Sequence, residues 1–199
     1  MSMHLVLHAI AIKKHAEASA IAEFLDLPAA SVDRLLGDAV RSGRAIEAQG
    51  RYALAPLARV ALDGQYSREY ASLLSDAAFL EAYEAFERIN VQLKGLITEW
   101  QTIALGSTRV PNDHADRDYD DRVIGKLGDL HERAERIVRE FERGVPRFKY
   151  YRTHLSAALE KAEDGALEWV SDVRLPSYHT LWFELHEDVL RLLGRKRME

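Results

Sequence analysis

The stretch 28–56, PAASVDRLLGDAVRSGRAIEAQGRYALAP, leaves the chain few folds to choose from. Val32, Leu35, Leu36, Ala39 and Val40 recur at helical spacing, so the first half predicts an amphipathic helix. Pro28 stands where a first turn tolerates proline, and Gly43 where a helix end takes the left-handed conformation. Two short strand-like runs follow, 44–48 and 51–55, joined by Gln49-Gly50. Gly50 supplies the positive φ that a tight hairpin demands. The expectation is a helix feeding directly into a two-stranded ribbon.

Two helices are expected upstream. The first covers 3–14, with Leu5, Ala9 and Ile12 as its inner stripe and Leu7 and Ile10 along its edge. The second covers 17–25, with Ala18, Ile21, Ala22 and Leu25 facing in, and Asp26-Leu27-Pro28 turns the chain into the third. An alanine-rich second helix, a leucine before the turn, a Leu35-Leu36 pair and a glycine before the ribbon occur together over residues 3–62. In this the chain resembles the winged helix-turn-helix domains of bacterial transcriptional regulators, the MarR- and PadR-like groups nearest. MarR-type chains place a dimerisation helix before the winged domain and PadR-type bundles are often shorter, whereas here about 130 residues follow it.

The resemblance implies that the third helix enters the major groove and the wing lies along the backbone or minor groove. Ser31, Asp33, Arg34, Asp38 and Arg41 are then the outward residues of the reading helix, with Arg44, Gln49 and Arg51 on the wing. Arg34 suits a guanine edge, because a guanidinium can donate two parallel hydrogen bonds to it, whereas Arg41, Arg44 and Arg51 suit phosphates. Charge argues in the other direction. Residues 1–65 hold the bases Lys13, Lys14, Arg34, Arg41, Arg44, Arg51 and Arg59 and the acids Glu17, Glu23, Asp26, Asp33, Asp38, Glu47 and Asp63. That part is neutral, and the remainder carries the whole net charge of −5. Phosphate neutralisation dominates DNA affinity, so a neutral reader depends on dimerisation to double its arginines.

From Leu57 onward the pattern is helical. A hinge is expected at Asp63-Gly64, which gives a domain of residues 1–65 and a second of 66–199. The second reads as an all-α bundle, without strands. Its longest helix is expected over 77–105, striped by Phe79, Tyr83, Phe86, Asn90, Leu93, Ile97, Trp100 and Ala104. At 1.5 Å per residue it would reach about 40 Å, suited to a dimer interface or to the spine of a bundle. Residues 106–118 read as a polar loop, followed by helices over 119–143, 147–163, 166–173 and 177–193.

The least ordinary segment is SYHTLWFELHED, where His179, Trp182, Phe183 and His186 share one helix face. Polar groups on an apolar face need partners, which are either one another or a ligand. Tyr83, Asn90, Trp100, Tyr178, His179, Trp182 and His186 are therefore the candidate lining of a small-molecule effector pocket; the alternative is that they knit helices together. His179 and His186 stand about 10 Å apart along the axis, too far to share a metal. No metal or cofactor is expected. The chain has no cysteine, phosphate-binding glycine loop, HExxH pair or nucleophile elbow, so it reads as no enzyme. The apolar run near Met3 is too short to span a bilayer and lacks a cleavage signature, so the expected location is cytoplasmic, with no membrane partner.

The sequence thus points to a mainly α protein. Its N-terminal winged helix-turn-helix has three helices and a two-stranded wing, and a helical bundle with a long dimerisation helix follows. The expected partners are a palindromic double-stranded DNA site, a second copy of the chain, and a small-molecule effector. The alternative is an adaptor that uses the winged helix to bind another protein.

Overall fold

A computed structural model describes residues 2–106 and 108–196. The chain is mainly helical, 72% helix against 9% strand, with nine α-helices among the described residues. It divides into two compact units, Met1–Asp76 with Glu184–Glu199, and Ala77–Phe183.

The first unit runs α1 (Met3–Lys13), β1 (Ala16–Glu17), α2 (Ala18–Leu25), α3 (Ala29–Arg41), β2 (Ala45–Ala48), β3 (Arg51–Leu54) and α4 (Pro56–Glu69). It also takes in the later turns of the last helix, α9 (Tyr178–Leu192). In α3, Val32, Leu35, Leu36 and Ala39 are buried as the pattern predicts, and α3 packs on α1 and α2. Val40, expected on the same stripe, is exposed because it falls on the edge of that face. The helix ends as glycine dictates. Gly43 has φ +69°, its N–H donates to Val40 O at 3.0 Å, and the Arg44 N–H donates to Ala39 O at 2.8 Å. The chain is thereby turned straight into β2.

The ribbon pairs Ala45 with Leu54 through Ala48 with Arg51, antiparallel. Both turn residues have positive φ, Gln49 at +55° and Gly50 at +75°, matching the twist of the strands they join. β1, two residues long, adds a third strand on the other edge of β3, so the sheet order is β1-β3-β2. Such a strand is too short to leave a period in the sequence. α1 is buried almost all the way round, including His4, Val6, His8 and Ala11, and Leu5 of the expected inner stripe is only half-buried. It is enclosed by α2, α3, α4 and β3, so no single stripe describes it. The expected hinge at Asp63-Gly64 does not form, and α4 runs through both residues.

The second unit contains α5 (Ala77–Gln101), β4 (Thr102–Leu105), β5 (Thr108–Pro111), α6 (Arg117–Gly144), α7 (Lys149–Glu163), α8 (Glu168–Ser171) and the first turns of α9. The expected stripe of α5 is buried from Phe79 to Trp100. The helix stops at Gln101, however, and the chain continues into an antiparallel hairpin in which Ile103 pairs with Val110. The expected extension to 105, the loop at 106–118 and the absence of strands are all corrected by this hairpin. Ser107, within that loop, lies outside the described residues. The longest helix is α6, of 28 residues. Asp116 caps it, accepting from the Tyr119 N–H at 3.0 Å, and Asp118 and Asp120 add negative charge where the helix dipole favours it. A run of rings forms the core: Phe79 to Phe141 at 5.0 Å, Phe86 to Phe141 at 5.7 Å, and Phe141 to Phe148 at 5.7 Å between centroids. No described helix is long and apolar enough to cross a membrane.

Candidate functional site

The Schellman stop at Gly43 and the ladder to β1 fix the ribbon against α3, so the two form one continuous surface. On it Arg34, Arg41, Arg44, Gln49 and Arg51 are exposed, and Ser31 and Asp38 are half-buried. The arginines are not bare. Asp38 Oδ2 lies 3.6 Å from Arg34 Nη1, and Asp38 Oδ1 accepts from Arg41 Nη2, so one carboxylate serves two guanidiniums. Arg51 reaches Glu17 on β1 at 3.5 Å. Glu47 turns back to accept from the Gly50 N–H at 2.8 Å. Exposed pairs of this kind are worth little, about 0–1 kcal/mol each, so they neutralise the face more than they stabilise it. Ile46 of β2 stands 54% exposed beside them, an apolar patch within a charged surface.

The residues read from sequence as an effector lining are divided. Asn90, Tyr178 and Trp182 join one buried cluster of the second unit. Trp182 Nε1 donates to Asn90 Oδ1 at 3.1 Å, and its indole stacks on Phe86 with centroids 4.7 Å apart. The Tyr178 hydroxyl meets His131 Nδ1 at 3.2 Å, and His131 Nε2 meets Ser156 Oγ at 3.2 Å. Burial pushes the Tyr178 hydroxyl pKa upward and the His131 imidazole pKa downward, with Glu135, Glu132 and Glu160 opposing the latter. Tyr83 is buried on α5. Trp100 is also buried, but against the His114 ring at 4.5 Å. His179 is half-buried in the second unit, and His186 is buried in the first. Trp182 Nε1 and Asn90 Oδ1 thus satisfy one another, and Asn90 Nδ2 lies 3.4 Å from Glu87 Oε2.

A second polar cluster sits at the end of the hairpin. Asp120 is fully buried and accepts from Asn112 Nδ2 at 2.9 Å. His114 Nδ1 lies 3.1 and 3.0 Å from its two oxygens. The His114 backbone has φ +59°, held by its N–H donating to Asn112 Oδ1 at 3.0 Å. The acids of this segment thus cap and anchor α6.

Sequence reasoning missed the polar heart of the first unit. His8 on α1 is wholly buried between α4 and α9, its Nδ1 2.7 Å from the Tyr66 hydroxyl and its Nε2 3.1 Å from Asp188 Oδ1. His4, one turn earlier, meets Gln65 Oε1 at 3.1 Å. Lys13 bonds Glu184 at 2.6 Å. Burial raises the Glu184 pKa, with Asp188 adding to the effect and Lys13 and Lys14 opposing it. The signal was present in His4 and His8 at a four-residue spacing on an apolar helix, but their partners lie about 60 and 180 residues further along the chain. Beside this cluster a cavity of about 400 Å³ opens, lined by Asp63 and Tyr66 of α4 and by Glu187, Leu190, Arg191, Gly194, Arg195 and Lys196.

Among the described residues no group of three or more His, Cys, Asp or Glu side chains could hold a metal ion. No family model, curated protein or solved structure matches the chain.

Proposed function

We propose that the first unit is a winged helix that reads double-stranded DNA, and that the chain acts as a homodimeric transcriptional regulator on a two-fold site. The observation that carries this reading is the element order α1-β1-α2-α3-β2-β3 with sheet order β1-β3-β2. It leaves α3 and the ribbon side by side with their arginines outward. In this plan α3 enters the major groove, Arg34 addresses a base edge, and Arg41, Arg44 and Arg51 contact phosphates. The side chains of Arg34, Arg41 and Arg51 are 68%, 71% and 58% exposed, so phosphate can take the place of their present carboxylate partners. Dimerisation, with the two α3 helices about 34 Å apart, supplies the second set of arginines that a neutral reader needs. The second unit serves to pair the protomers, on the general plan of MarR- and PadR-like regulators. A DNA reader of this kind works in the cytoplasm and responds to a small-molecule effector.

A gel shift of the pure protein against its own upstream region tests the reading. A shifted band at low salt that weakens in Arg34→Ala supports it. No shift at low salt, with or without cell extract, overturns it.

A second reading is favoured by one observation. Asp38 already neutralises Arg34 and Arg41, and Ile46 adds an exposed apolar side chain. Such a mixed surface suits a protein partner, and the first unit would then be an adaptor. Ile46→Ser, which removes the apolar side chain without adding charge, would abolish capture of that partner and leave a DNA shift in place.

A further inference from the structure

The cavity beside α4 has the size of a ligand site, and its lining has a definite sign. Small-molecule sites run about 300–1,000 Å³, and this one is about 400 Å³. Leu190 and the ring of Tyr66 give it apolar walls, while Arg191, Arg195 and Lys196 set three cations against the carboxylates of Asp63 and Glu187. Both carboxylates are turned onto Arg191: Asp63 Oδ1 accepts from Nη1 at 2.9 Å, and Glu187 Oε1 pairs with Nε at 2.8 Å. Arg191 is thereby held in place. Burial opposes its charge, and Glu187, Tyr66 and Asp63 more than offset this, so it stays protonated.

The end of α9 brings the other two cations to the same place. Gly194 has φ +62°, its N–H donates to Arg191 O at 3.2 Å, and the Arg195 N–H donates to Leu190 O at 2.8 Å. This glycine stop sends Arg195 and Lys196 back over the cavity instead of onward along the axis. The far wall is not inert, because the Tyr66 hydroxyl is bonded to His8 on α1, which packs on α3.

We propose that this cavity binds a small organic anion, its carboxylate or phosphate held by Arg191, Arg195 and Lys196 and its apolar body resting on Tyr66 and Leu190. It is the site at which an effector reaches α1 and, through α1, the reading helix. The effector role rests on the DNA-reading proposal, whereas the binding itself does not.

Benzoate and phenyl phosphate are the probes, with benzyl alcohol as the neutral control, all titrated at constant ionic strength by isothermal calorimetry and by thermal shift. The expected result is saturable binding of an anionic probe and none of the alcohol. Arg195→Gln with Lys196→Gln should weaken it about tenfold or more, as expected for losing charge-assisted hydrogen bonds. Both residues lie beyond the last turn of α9, and the variant's melting temperature without probe, read alongside, separates lost affinity from lost stability. Arg191→Gln should abolish binding and also lower stability, since it releases Asp63 and Glu187. Absence of saturable binding overturns the proposal, as does equal binding of benzyl alcohol or an unchanged affinity in the double variant. The titrations contain no DNA, so their failure leaves the DNA reading standing, and failure of that reading leaves them standing. A gel shift unchanged by a saturating probe would overturn the effector role.

Discussion

The hydrogen bond between Trp182 and Asn90 decides whether the aromatic centre of the second unit is a core or a pocket. Trp182 is 2% exposed and Asn90 9%, and the Nε1–H to Oδ1 distance is 3.1 Å. Asn90→Ala would strand the indole N–H against Phe86, where water has no access, at a cost of about 1–3 kcal/mol. Trp182→Phe keeps most of the stacked ring and removes the donor, leaving the amide oxygen without it at a similar cost. Each single change thus breaks the same bond, so the pair should be less damaging together than the sum of the two. The expected coupling energy is about 1 kcal/mol. All three tryptophans, Trp100, Trp169 and Trp182, lie in the second unit, so tryptophan fluorescence during urea unfolding reads that unit selectively. The Trp182→Phe chain keeps two reporters. In thermal unfolding each kcal/mol lost should lower the midpoint by about 2–4 °C. Singles that add within about 0.3 kcal/mol would refute the reasoning. They would mean that Asn90 and Trp182 do not depend on one another and that the amide is available to a ligand.

Other expectations rest on different parts of the molecule. Gly50, at φ +75° with open space around it, should lose about 1 kcal/mol on change to Ala, whereas Gly95, exposed within α5, should gain about 0.5–1 kcal/mol; urea titration of both separates backbone strain from sterics. His131 has its pKa lowered from 6.5 by burial, so protons bind the unfolded chain more readily than the folded one below that value. Its contribution is therefore complete above pH 6.5 and lost as pH falls through the depressed folded value, and His131→Gln should flatten the thermal stability profile in that window. Asp120→Ala should cost about 2 kcal/mol by leaving Asn112 and His114 without their acceptor, and hydrogen exchange should then rise first at the hairpin and the start of α6.

What the chain betrays of its fold depends on how local the cause is. α3 and its ribbon are legible because a stripe, a glycine stop and a two-residue turn all fall within thirty residues and agree. The stripe of α5 is legible for the same reason. β1 was not, because two residues hold no period, and its strand character comes only from Tyr52 and Arg51 on β3. The hairpin at 102–111 follows the last turn of α5 without a break, and its strands are too short to show an alternating period against the helix before them. Asn90 and Trp182 stand out in the sequence as polar groups on apolar faces, but a helix pattern cannot say whether such groups meet one another. The His8 cluster and the cavity were invisible for a further reason. They join α1 and α4 to the end of α9, and no local signal pairs His8 with Asp188.

The central claim is that α3 and its ribbon bind DNA through their arginines. The most direct test is fluorescence anisotropy of a labelled duplex from the upstream region, titrated at several salt concentrations. The wild-type chain is compared with Arg34→Ala, Arg41→Ala, Arg44→Ala and Arg51→Ala combined. The wild type should bind at low salt and lose affinity linearly in log salt, and the variant should bind more weakly with a slope reduced by about one per phosphate contact removed. Binding that is equally tight in the variant, or absent from the wild type at the lowest salt, would contradict the claim.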